Sequence, residues 1–275
     1  MKKNIEFQSP TFIDRIKKML GVDFYRLFHT PLFYIFLGIA GIIPALVAMG
    51  FSKTDPVTGQ IVGSSLENIW IMIASDEALY VVSDIAEYAN MNMVFIFGGI
   101  MVSIFIGHDY RSGYVKQLFT THAKKEDYMI SKTITCAFAM ACMCITYLIG
   151  TIVSGIFLQA SFEVNVFSLI LAILSKMVMS LGWASLYTFL NVIFRKYFGV
   201  SIASSFFFGT GILIIGAAGI FGNSSILNIF LYGSSVYACL SSSILTLIVC
   251  ILCSGIWAVI YNVLGTFILN RSDVY

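Results

Sequence analysis

Apolar and polar positions along this chain fall into long blocks. Six apolar runs stand out, at about 32–51, 91–107, 133–158, 166–194, 198–221 and 244–269. Each is close to the roughly 17–25 residues that a helix needs to cross about 30 Å of hydrocarbon. None of the six contains Asp or Glu. Residues 222–243 are mildly apolar, and Pro44 predicts a bend in the first run. The pattern predicts an all-α, polytopic membrane protein: a single transmembrane domain over 1–275 with six transmembrane helices within 32–269.

Two stretches carry a helical rather than a continuous apolar pattern. In the first, within 1–31, Phe12, Ile13, Ile16, Leu20, Phe24, Leu27 and Phe28 recur at three- and four-residue spacing. Asp14, Arg15, Lys17, Lys18 and Arg26 fill the other face. This predicts an amphipathic helix lying in the membrane interface, with a partner-binding helix as the alternative. Pro31 should then redirect the chain. No signal peptide is expected, because the first twenty residues hold no continuous apolar core. The second stretch, 108–132, lies between two apolar runs. Tyr114, Val115, Leu118 and Phe119 recur there at helical spacing, followed by Tyr128 and Met129. A short amphipathic helix in that position suits docking to a soluble partner. Within 52–90, residues 66–74 are apolar enough for a short surface helix.

Composition sharpens the class. The 275 residues are 59% hydrophobic and 11% charged, against about 25% charged in a soluble domain. A water-soluble core cannot hide that much apolar surface. The net charge of +2 matters less than where the charges sit. With the N-terminus inside, fourteen of the sixteen Lys and Arg fall on inner segments; Lys53 and Lys176 are the exceptions. Both termini and segment 108–132 are therefore expected in the cytoplasm. The loop 52–90, with one lysine against six carboxylates, is expected outside.

Candidate chemistry is sparse. The chain has no GxxxxGK[ST] loop, no GxSxG elbow and no HExxH pair, so neither ATP hydrolysis nor other covalent catalysis is expected of it. It should not be an enzyme, and it should hold no cofactor and bind no nucleic acid. His29, His108 and His122 are scattered and lack evident co-ligands, so no metal site is expected. Five of the six cysteines lie inside apolar runs and read as small buried hydrophobes, Cys250 and Cys253 included. Lys176 lies well inside the fourth run, where a lysine costs on the order of 2.5–3.5 kcal/mol to insert. It either lines a substrate path or snorkels to the outer head groups, pairing with Glu163. Asn191, like Asn92 and Asn262, is either an interhelical hydrogen-bond partner or a path residue. Ser201, Ser204, Ser205, Gly209, Gly211, Gly216 and Gly219 allow close helix approach, at a subunit interface or within the chain.

The run Asp109, Tyr110, Arg111, Ser112, Gly113, Tyr114, Val115, Lys116, Gln117, Leu118, followed by Lys124, Lys125 and Lys132, resembles the permeases of ABC type-2 exporters. That family shows an acidic–aromatic–x–x–Gly pattern after its second span, then a basic pair and a lysine leading into the third. Asp109 stands here where glutamate is commoner, and Tyr114 where a small hydroxyl residue usually follows the glycine. The motif covers about 25 residues, while the layout of spans, long first outer loop and amphipathic N-terminus covers nearly the whole chain.

The resemblance implies a permease of the bacterial plasma membrane, paired with a second permease, the same or related. Two copies of an ATPase subunit carrying ATP and Mg would dock below. Tyr110, Arg111, Gly113, Tyr114, Val115, Leu118, Phe119 and His122 would form the coupling helix that seats on that ATPase. An alternative role for Asp109, read from the residues, is to order the turn by accepting backbone hydrogen bonds at the helix start. Residues 222–243 would form short re-entrant helices. The apolar walls favour a hydrophobic or amphipathic cargo: an antimicrobial peptide, drug or lipid. A reading from another class is a non-transporting immunity or sensory protein that binds a peptide through its outer loop.

Overall fold

The computed structural model describes residues 11–51, 53–54, 61–62, 93–121, 123–157, 166–210, 229–240 and 243–271. In chain order the helices are α1 (Phe12–His29), α2 (Pro31–Phe51), α3 (Met93–Arg111), α4 (Tyr114–Thr120), α5 (Lys125–Phe157), α6 (Val166–Ile193), α7 (Phe198–Gly209), α8 (Leu231–Leu240) and α9 (Ile244–Arg271). Between α2 and α3 lies one antiparallel pair of two-residue strands, β1 (Lys53–Thr54) and β2 (Ile61–Val62). The all-helical class expected from the pattern is otherwise what the described residues form.

Four helical stretches are long and apolar enough to cross a bilayer: Met93–Arg111, Lys125–Ser154, Leu169–Ile193 and Ile244–Arg271. A fifth is added if α1 and the Pro31–Leu46 part of α2 are taken as one element bent by 65°. These are the helices of a multi-pass membrane protein, and the described residues give four or five spans where the sequence pattern predicts six. Of the predicted fifth span only residues 198–210 are among the described residues, with a helix of 12 residues. Residues 1–10, 66–74, most of the loop 52–90, and Glu163, Asn92, Gly211, Gly216 and Gly219 lie outside the described residues.

The bend between α1 and α2 follows from local chemistry. Proline disfavours helical geometry in the residue before it, and Thr30 is extended at φ −96°, ψ 123°. The start of α1 is capped by Thr11, whose hydroxyl oxygen accepts from the Asp14 backbone N–H at 3.3 Å.

Helix α6 lies at the centre, packing on α3, α5, α8 and α9. Trp183 stacks on Phe95 of α3 and on Tyr187, both at 5.6 Å. The polar edges of these rings are satisfied in the core: Tyr187 Oη donates to the Phe95 carbonyl at 2.9 Å, and Trp183 Nε1 donates to Ser235 Oγ of α8 at 2.7 Å. Ser254 ties α9 to α6 by accepting from Gly182 N–H and donating to the Val178 carbonyl. On the other side, α5 packs against α1 and α2. There α2 and α5 meet at two glycines, where a Cβ on Gly150 would lie 2.0 Å from the Gly41 carbonyl oxygen. Helix α8, with 10 residues, spans only about 15 Å, half the hydrocarbon thickness. It packs between α6 and α9. The sulfurs of Cys250 and Cys253 lie 3.8 Å from the Ser234 carbonyl and 3.5 Å from the Ile229 carbonyl, as weak donors within the core.

Candidate functional site

The chemistry-bearing residues gather at one end of the bundle, the base, where α3 stops and α5 starts. The link between those helices is shorter than the 108–132 segment expected, because α3 continues to Arg111 and α5 begins at Lys125. Nor is 110–122 one helix. Gly113 breaks it with a left-handed φ of 73°, a conformation that carries little cost only for glycine. Tyr110 and Arg111 therefore close α3, and α4 has seven residues.

Four charges gather beneath this turn, three of them buried and Arg26 partly exposed. Lys132 of α5 sends its ammonium to Asp23 Oδ1 of α1 and to Asp109 Oδ2 of α3, each at 2.6 Å. All three side chains have no exposed surface. The second oxygen of Asp23 accepts from Ser131 Oγ at 2.6 Å. The second oxygen of Asp109 accepts from the Arg26 guanidinium of α1. Two carboxylates thus meet two cations, and the cluster is neutral. Such balance is needed, since an unpaired charge in a low-dielectric interior is costly. Asp109 accordingly does not order the start of α4 through backbone hydrogen bonds; the buried cations claim both of its oxygens.

Tyr114, at the start of α4, covers this cluster. Its ring lies 4.1 Å from the Arg26 guanidinium carbon and 5.6 Å from Lys132 Nζ. Phe105 takes Lys132 from another side at 4.8 Å. Half-burial pushes the Tyr114 phenol above its ordinary pKa; Asp23 acts in the same direction, and Lys132 and Arg26 oppose it. A further pair, Arg15 Nε to Asp127 Oδ2 at 2.7 Å, fastens the first turns of α1 to α5. Lys125 Nζ reaches the Leu269 carbonyl near the end of α9 at 2.6 Å; a cation is favoured at a helix C-terminus.

The apolar face of α4 does not point outward, as docking through it would require. Val115 is buried, in one cluster with Tyr128, Met129, Val192 and Leu269, and Leu118, Phe119 and Tyr110 pack against that cluster. Phe119 meets the Tyr128 ring edge-on at 5.7 Å. The physical reason is supply: the ends of α5, α6 and α9 offer an apolar surface within reach, and the short helix folds onto it. The exposed residues of this turn are Arg111, Ser112, Lys116, Gln117, Thr120 and Thr121. Arg111 lies over the Phe198 ring of α7 at 4.8 Å. His122 lies outside the described residues.

Lys176 sits far from the base. It lines a recess with Val94, Phe95, Cys144, Tyr147, Leu148, Ala172 and Ile173, and its ammonium is 5.7 Å from the Tyr147 ring centre. The recess is narrow, with ≈ 20 Å³ open to the centre of a water molecule. Asn191 is buried at the junction of α3, α6 and α7. Its Nδ2 donates to Ser103 Oγ at 3.1 Å and to the Tyr187 carbonyl at 2.8 Å, and its Oδ1 accepts from Ser201 Oγ. Ser103 and Ser205 share a hydrogen bond of 2.7 Å beside it. The small face of α7, including Ser201, Ser205 and Gly209, thereby packs within the chain.

Sequence reasoning missed Asp23 and Arg26, and it named Lys132 only within the family pattern and not as their partner in one cluster. A signal was there. Asp23 falls on the apolar stripe between Leu20 and Leu27, and Lys132 falls between Tyr128 and Cys136 at helical spacing. A charge on a stripe that must be buried calls for a partner. Among the described residues no three His, Cys, Asp or Glu side chains come together as metal ligands. No known protein family matches the sequence, and no curated protein matches it either.

Proposed function

We propose that this chain is the transmembrane permease subunit of an ATP-driven exporter of the ABC type-2 kind. It would sit in the plasma membrane with both termini in the cytoplasm, pair with a second permease and be driven by two ATPase subunits. The observation that carries this reading is the build of the turn between α3 and α5. A short helix with a polar outer side is packed onto the ends of several spans and stacked on a buried charge cluster. A push on that helix would be passed to α1, α3 and α5 together, which is what transmitting work from a soluble motor requires. The cargo would be hydrophobic or amphipathic, with Lys176 and Asn191 the polar residues to test along its path. In this mechanism the contact with the ATPase falls to Arg111, Lys116, Gln117, Thr120 and Thr121, while Tyr114, Val115, Leu118 and Phe119 hold the helix in place.

The test is affinity purification from native membranes, with ATP hydrolysis measured after reconstitution. The parent chain should bring an ATPase with it. Lys116→Glu combined with Thr120→Glu should lose that partner while the chain remains folded, because both side chains are exposed. Absence of any ATPase from the purified parent would overturn the exporter reading in favour of a non-transporting membrane protein.

A further inference from the structure

The contact between α4 and the buried charges has a geometry that assigns a role to one residue. Helix α4 packs on the end of α3. Its polar contact with α1 is the Tyr114 ring over Arg26, at 4.1 Å; Met19 of α1 also packs against the apolar cluster that holds Val115. The phenol oxygen makes no hydrogen bond to the cluster; the ring face meets the cations. Arg26 in turn is held by Asp109, Asp109 by Lys132, and Lys132 by Asp23, which is back on α1 three positions before Arg26. The ion pairs close a loop through α1, α3 and α5, and the Tyr114 ring of α4 lies against it.

We infer that Tyr114 is the positioning residue through which α4 and α1 move as one unit, its ring held against Arg26 and Lys132. The N-terminal helix is then more than an anchor at the membrane surface: it belongs to the element that α4 displaces. Three features support this. Ion pairs within the cluster fix Arg26 and Lys132, so the ring meets two immobile cations rather than mobile surface ones. Arg15 with Asp127 holds the other end of α1 to α5, so α1 is fastened at two points along its length. The apolar side of α4 packs on Tyr128, Met129, Val192 and Leu269, so turning the helix to release the ring would expose that side. A partly desolvated ring–cation contact shifts an equilibrium by about twofold to tenfold.

The functional consequence rests on the exporter reading, but the structural core of the inference does not. Hydrogen exchange of the full chain in lipid nanodiscs reads it directly. Tyr114→Phe should exchange like the parent, because the ring is kept. Tyr114→Leu should raise exchange about twofold to tenfold in α4 and also in α1 near Arg26. Arg26→Lys keeps a charge for Asp109 but removes the flat guanidinium; it should raise exchange in α4, although the change is on α1. A rise confined to the helix that carries the substitution, in either variant, overturns the inference. If Tyr114→Leu does not fold, the milder Arg26→Lys decides alone. Where a partner ATPase is present, Tyr114→Leu should retain it but move less cargo per ATP. Loss of the ATPase from the parent chain would sink the exporter reading and leave the exchange result to judge Tyr114 by itself.

Discussion

Lys132 and Lys176 both lie on long apolar helices, and their surroundings differ in every respect. Lys132 has no exposed surface and two carboxylates at 2.6 Å. Lys176 is half-buried and lines a largely apolar recess beside Tyr147. One is a closed ionic lock joining α1, α3 and α5 at the base. The other is a cation placed among apolar side chains of α3, α5 and α6. The difference teaches that burial on an apolar helix does not by itself make a lysine a functional candidate. A buried pair is dearest to break when its partner is left behind, so Lys132 should govern the integrity of the fold. Lys176 lines a recess rather than an ion-pair network, and it is the residue to probe for the proposed path.

The largest expected effect follows from breaking the lock. Lys132→Met leaves Asp23 and Asp109 buried, at a cost of about 3–5 kcal/mol. Thermal unfolding in detergent should show a large drop, partly restored when Asp23→Asn is added, since Asp109 keeps Arg26. Melting of the single variant at the parental temperature would show that the lock is open in solution.

Next comes the packing that brings α1 and α2 over Lys132. In Gly150→Ala the new Cβ meets a backbone oxygen, not a flexible side chain. Forcing α2 and α5 apart should cost about 1–3 kcal/mol and loosen the base as well, which faster proteolysis of the α1 region would reveal. Proteolysis at the parental rate would mean that the ion pairs position α1 without help from the glycine contact.

A neutral polar junction sets a third level. Asn191→Leu removes three hydrogen bonds at the α3–α6–α7 junction, leaving Ser201 without that acceptor. The expected loss is about 1–3 kcal/mol, below that of Lys132→Met. A loss equal to that of Lys132→Met would erase the distinction between ionic and neutral buried networks in this protein.

The smallest effect on stability belongs to Lys176→Met. It removes an insertion cost, so melting and expression should hold. Cargo movement or resistance should fall if the recess lies on the path. Parental activity in cells would remove Lys176 from the proposed path.

Much of the architecture was readable as pattern. The redirection at Pro31 appears as an extended Thr30 and a 65° bend. The runs at 91–107, 133–158, 166–194 and 244–269 each correspond to one long helix. The candidate site is legible in the sequence only in outline: the segment around Tyr114 stands out, but the spacing predicts a longer helix with an apolar face free for docking. Amphipathic spacing reports that a face will be covered, not by what. Here the ends of α5, α6 and α9 cover it.

What the sequence alone determined is the class and the places of the helices. Hydrocarbon thickness and backbone hydrogen bonding leave an apolar run of that length almost no other form. What only the tertiary structure decided is which charges meet. Lys132 and Asp23 are 109 positions apart in sequence, on helices whose order says nothing of their register. Their pairing depends on where α1 lies across α5, and that is set by the bend at Thr30, the close contact of Gly41 with Gly150 and the Arg15–Asp127 pair acting together. Helix formation is local, so it can be read from a run of residues. Ion pairing between helices is a property of their packing, and it exists only once the bundle has closed.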